Sequence, residues 1–178
     1  MRAINQRGFT VIEMLLVVTI IGILGSVAIP SMIRARGTAA ETAAIASIRT
    51  VHAAETTYAT SCGNGYYAPS IDSLATPPKA GTPAYIGPEF KSDTTDRQHY
   101  RFRFTGGKAD KDAKATCNGV AAGKAVTTFF ISADLLEATN GIPARYFALN
   151  QTGTVYVSSK KINAFYDDNV KSPVQVLR

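Results

Sequence analysis

Gly8-Phe9-Thr10-Val11-Ile12-Glu13 runs without a break into Met14–Ile33, MLLVVTIIGILGSVAIPSMI, 20 consecutive residues that carry no charge. Twenty helical residues reach about 30 Å, the thickness of a bilayer's hydrocarbon core. That run sets the architecture and argues against a purely soluble cytosolic protein. The rest of the 178-residue chain is ordinary, with 46% hydrophobic and 18% charged residues overall. Such a composition excludes both a disordered tail and a wholly membrane-embedded protein. Nineteen Lys and Arg against 13 Asp and Glu leave a formal charge of +6, which suits an anionic partner.

Before the apolar run stands a short leader containing Arg2 and Arg7. A basic lead and an apolar stretch fit a cleaved signal peptide, a signal anchor, or a segment with its own processing site. Ser26-Val27-Ala28 mimics a signal-peptidase triplet, but the apolar stretch is longer than a signal core and Pro30 follows closely. Arg34 and Arg36 beyond the span nearly balance Arg2 and Arg7, so charge alone does not orient it. Glu13 needs its own account. A carboxylate costs about 2.5–3.5 kcal/mol at mid-bilayer and less near the interface. Either it reaches the headgroups, or another molecule supplies a positive partner.

The basic leader, Gly8-Phe9-Thr10-Val11-Ile12-Glu13 and the apolar run together resemble the class III signal of type IV pilins and type II secretion pseudopilins. The resemblance is specific from Arg7 to about Tyr58 and general beyond. It implies that a prepilin peptidase cuts between Gly8 and Phe9 on the cytoplasmic side and methylates the new N-terminus at Phe9. It also implies that Glu13 pairs with the Phe9 amine of a neighbouring subunit during assembly. The physics agrees: glycine weakens a helix at the junction, and a lone carboxylate in an apolar filament core is tolerable only when paired.

The helix is expected to continue to about Thr60, because Thr38–Thr60 is rich in Ala and lacks Gly and Pro. Ala44, Ile48, Val51, Ala54 and Tyr58 share one arc, with Glu55 intruding beside it. Phe9 to Thr60 would measure roughly 78 Å, too long for one compact domain to bury. Gly22, Gly25 and Pro30 are weak points in that rod, and Gly22-x-x-x-Ser26 is a small-residue packing pattern. By resemblance, the stretch between a matching glycine and proline unwinds on assembly in several pilus filaments.

Ser61-Cys62-Gly63-Asn64-Gly65 ends the helix. Ser70–Leu74 reads as a short helix, and the prolines at 77, 78, 83 and 88 mark a surface loop. The period then becomes two: Tyr100, Phe102 and Phe104 alternate with His99, Arg101 and Arg103 across a strand at Gln98–Thr105. Gly106-Gly107 turns the chain into a charged loop, Lys108–Lys114. Ala125–Ser132 reads as a second strand, and Arg145–Leu149 with Thr154–Ser158 as a hairpin around Asn150–Gly153. A final strand is open near Val174–Leu177. The expectation is an α+β fold: a long helix whose C-terminal half packs on an antiparallel sheet of about four strands, which also matches the family. Three segments follow: a leader at 1–8, a helix at 9–61 and a head at 62–178. With a signal ahead of it, Cys62 and Cys117 are read as a disulfide formed after export. Closing about 55 residues, it is worth about 4 kcal/mol in the chain-entropy model.

No catalytic set is legible. His52 and His99 are the only histidines, and HExxH, CxxC and GxSxG are absent. Gly119–Ala125 imitates a phosphate loop but is one residue short and lacks the hydroxyl after Lys124. Asp110, Asp112, Asp134, Asp167 and Asp168 lack EF-hand spacing. Asn150-Gln151-Thr152 is a glycosylation sequon that a turn explains equally well. Arg101, Arg103 and Lys108 form a basic cluster open to nucleic acid or to plain solvation.

The expected function is that of a structural pilus subunit, not an enzyme, with no metal or cofactor. Its partners would be copies of itself in a helical filament, a prepilin peptidase, the pilus or secretion assembly machinery, and inner-membrane lipid before assembly. It would be a single-pass inner-membrane precursor and then extracellular, or periplasmic in a pseudopilus. A pseudopilin shares every N-terminal feature. A DNA-uptake minor pilin would use Arg101, Arg103 and Lys108, and a membrane-anchored enzyme would need a catalytic set.

Overall fold

The computed structural model describes residues 8–90, 92–137, 144–164 and 174–177. Arg2, Arg7, Asp167 and Asp168 lie outside the described residues. One helix, α1, runs from Val11 to Ser61 over 51 residues. The chain divides into two compact units, residues 1–38 and 39–178, and α1 contributes to both.

In the first unit the apolar side chains are bare. From Phe9 to Ile33 the large hydrophobic residues are 41–86% exposed, and only Leu136 and Val176 elsewhere join them among the described residues. Pro30 sits inside α1 without ending it. Its ring removes the N–H that would have reached the Ser26 carbonyl, while the Ser26 hydroxyl donates to the Ile23 carbonyl at 2.7 Å.

In the second unit the same helix is amphipathic. Ala44, Ile48, Val51, Ala54 and Tyr58 are all buried, as their shared arc predicts, and join one core cluster with the sheet. The helix ends where the backbone turns left-handed, at Asn64 (φ 55°) and Gly65 (φ 92°). The Gly63 and Gly65 N–H groups donate to the Tyr58 and Ala59 carbonyls, satisfying acceptors left over at the terminus. A Cβ on Gly63 would strike the Tyr66 carbonyl and the Tyr58 ring, so that position requires glycine.

A short helix α2, Ile71–Ala75, is capped by Ser70, whose side chain accepts from the Ser73 N–H. Among the described residues six strands follow: β1 Thr94–Arg97, β2 Tyr100–Gly106, β3 Phe129–Leu135, β4 Tyr146–Asn150, β5 Val155–Ser158 and β6 Gln175–Val176. They form one sheet in sequence order, each pair antiparallel. Tyr100, Phe102 and Phe104 of β2, Phe129 and Ile131 of β3, Phe147 and Leu149 of β4 and Val155 of β5 share the cluster with α1. A second, smaller cluster gathers Phe130, Ala148, Tyr156 and Ile162. The class is α+β, with a long helix and an antiparallel sheet.

The sheet corrects the strand expectations in three places. It has six strands rather than about four, because the polar Thr94–Arg97 segment pairs with β2 and the final strand forms. The strand expected from Gln98 begins at Tyr100, since Gln98 (φ 49°) and His99 (φ 70°) make the two-residue turn between β1 and β2. The strand expected at Ala125–Ser132 lies at Phe129–Leu135. Val126 instead makes isolated bridges with Tyr67 and Ala109.

Candidate assembly and processing site

The N-terminal site is built from Gly8, Phe9, Thr10 and Glu13. Thr10 precedes the first helical residue, and its hydroxyl accepts the Glu13 N–H at 3.4 Å. In return, Glu13 Oε2 accepts the Thr10 N–H at 2.9 Å and the Thr10 hydroxyl at 2.6 Å. This is a reciprocal capping box, which satisfies donors orphaned at the helix start and puts negative charge where the helix dipole favours it. The Thr-x-x-Glu spacing before an apolar run is its sequence signal.

Phe9 is 72% exposed. A Cβ added at Gly8, Gly22 or Gly25 would meet nothing within 4 Å. Packing among the described residues therefore does not demand glycine at these three positions.

Cys62 and Cys117 are joined in a disulfide. It fastens the end of α1 to the 107–128 loop, and Asn118 beside it extends the tie. The Asn118 amide donates to the Ser73 carbonyl at 2.6 Å, and its Oδ1 accepts the Thr116 hydroxyl at 2.8 Å and the Tyr58 hydroxyl at 3.4 Å. One asparagine thus joins the loop to both helices.

The basic cluster is largely compensated. Arg101 makes a two-pronged bond to Asp96 at 2.7 and 2.8 Å, which holds the Asp96 carboxyl below its usual range. Arg103 pairs at 3.2 Å with Asp134, whose side chain is 5% exposed. Lys108 lies on the following loop and lines a surface pocket with Asp110, Lys111 and Thr127. The sequon is sealed: Asn150 is fully buried, and its Oδ1 accepts the Thr152 N–H and hydroxyl at 3.2 and 2.7 Å. His52 lies 3.4 Å from the Gln151 carbonyl and packs on Phe129, while His99 occupies the β1–β2 turn. Among the described residues no group of three or more His, Cys, Asp and Glu converges as a metal site.

Glu55, read from sequence only as an intrusion on the apolar arc, is completely buried. Its Oε2 accepts the Ala68 N–H at 2.8 Å. Helical spacing placed it beside the core, but no sequence pattern announces what a carboxyl does there.

Among known proteins, no curated sequence and no solved structure matches the chain. Residues 4–29 match the family model described as the prokaryotic N-terminal methylation motif. That motif is the class III signal peptide of type IV pilins and pseudopilins, and the apolar helix behind it fits a membrane-anchored precursor.

Proposed function

We propose that the chain is a structural subunit of a type IV pilus filament. It waits in the inner membrane through Met14–Ile33, is cut by a prepilin peptidase between Gly8 and Phe9, is methylated on Phe9, and polymerises by bundling its N-terminal helices. The observation that carries this reading is the bare apolar surface from Phe9 to Ile33 directly behind the methylation motif. Each such side chain gains about 1.5–3 kcal/mol when removed from water, so the segment must meet lipid or other helices. Gly22 and Gly25, against which no described residue packs, suit the close approach of a neighbouring helix.

Glu13 serves both states of such a subunit. Its bonds from Thr10 end on Oε2, which leaves Oε1 to receive the Phe9 amine of a neighbour after cleavage. Pairing of this kind selects register more than it adds stability, because an unpaired carboxylate is what the apolar core rejects. Filaments sheared from cells that express the chain and imaged by electron microscopy test the reading. The expected result is long surface filaments built mainly of this chain and lost in Glu13→Ala. Cells that make abundant chain, mature it and form no filament of any length would overturn it.

A further inference from the structure

Glu55 sits on α1 between Val51 and Tyr58, inside the cluster that joins helix and sheet. One carboxyl oxygen takes the Ala68 N–H, and the other, Oε1, has no hydrogen-bond partner among the described residues. Ala68 is itself fully buried, and the adjoining Tyr67 exchanges backbone hydrogen bonds with Val126 at 2.8 and 3.1 Å. Glu55 therefore closes the seam between the end of α1 and the Tyr67–Ala68 segment.

The titratable groups around that seam are mostly tyrosines. Tyr58 on α1 feels the Glu55 charge, Tyr85 meets Tyr58 edge to face, and Tyr67 packs edge-on against Phe129 of β3. His52, one turn earlier on α1, is turned to the Gln151 carbonyl and Gly153. From β2 and β3 the shared cluster receives Tyr100, Phe102, Phe104, Phe129, Ile131 and Ala133, of which only Tyr100 is titratable and none carries a formal charge. None of the ion pairs among the described residues includes Glu55. A carboxylate in such a place has one hydrogen bond and no counter-ion, so the neutral acid is favoured. Burial pushes the Glu55 carboxyl up to about 8, and the Ala68 N–H offsets only part of that rise.

We propose that Glu55 is a proton-operated latch: while it holds its proton, the last turns of α1 seal against the Tyr67–Ala68 segment, and losing that proton to bulk base admits water and loosens the seam. In the unfolded chain the same group titrates near 4.5. Folding therefore takes up a proton between about pH 4.5 and 8, and stability falls as pH rises through that window. The folding constant drops about tenfold per pH unit there and levels off above it.

The test is denaturant unfolding of the full chain in detergent micelles from pH 5.5 to 9, for wild type and Glu55→Gln. The wild type should lose about a hundredfold in folding constant between pH 5.5 and 8, and Glu55→Gln should be nearly flat. Equal slopes in the two proteins overturn the proposal. Should Glu55→Gln not fold, the wild type with 13C-labelled glutamate carboxyls decides. One carboxyl titrating near pH 8, with Ala68 and Val126 amide exchange quickening beyond the ordinary base-catalysed rate, supports the latch. All glutamates titrating in the usual carboxylate range, or amide exchange that only follows the ordinary rate, contradict it.

Discussion

Gln98 and His99 are held at φ 49° and 70°, in a region that side chains with a Cβ adopt at a cost. The two-residue turn between β1 and β2 demands it, because left-handed turn residues match the twist of the flanking strands. Replacing the pair by Asn and Gly (Q98N with H99G) relieves that strain. Stability should rise by about 1 kcal/mol, seen as an upward shift in the thermal midpoint. No gain would mean that the side chains at the tip hold the hairpin in some other way. Gly153 presents the opposite case. It has φ 79°, and an added Cβ would lie 3.1 Å from the His52 ring. Gly153→Ala should therefore destabilise the head by about 1–3 kcal/mol, measured by the same unfolding. At Asn150 the prediction is chemical. Its amide is buried in its own turn, so the folded head should carry no glycan at that sequon, and an intact-mass measurement of secreted chain checks it.

At the scale of elements, the disulfide and Asn118 together hold the 107–128 loop to α1 and α2. Replacing both cysteines by Ala should cost about 2–5 kcal/mol, read as a lower denaturant midpoint for the oxidised wild type's partner variant. A reduced and an oxidised wild type of equal stability would show that the Asn118 bonds suffice. The elements also show what can be read without a structure. The buried arc of α1 was legible because Ala44, Ile48, Val51, Ala54 and Tyr58 repeat at the helical period and lie on a single core-facing side. β2 was legible because only one of its faces is apolar, which leaves an alternation. β3 was misplaced for the converse reason: six of its seven residues are buried, so no alternation marks its ends, and Val126 outside it pairs as a bridge. β1 was missed because Thr94–Arg97 contributes hydrogen bonds and an ion pair to the sheet edge but no apolar side chain to the core. In the candidate site, Gly8, Phe9 and Glu13 were legible as a motif. The burial of Glu55 was not, because it depends on where Ala68 returns.

For the whole molecule, two kinds of surface lie on one chain. The first unit exposes an unbroken series of large apolar side chains, whereas the described head exposes only Leu136 and Val176 of that kind. An apolar segment so bare needs lipid or other helices. Substitution of Gly22 and Gly25 by Leu should therefore leave the unfolding of the head unchanged while reducing filament yield, since those positions are open within the subunit. Unaltered filaments would remove the helix-packing role assigned to them. If the methylation motif at residues 4–29 is used, the proposed subunit begins at Phe9. Mass spectrometry of the chain's N-terminal peptide, taken from the membranes and surface filaments of cells that express it, tests this most directly. The expected peptide begins with N-methylated Phe9; an intact leader through Gly8, or a start at Ile29, would refute the proposed processing.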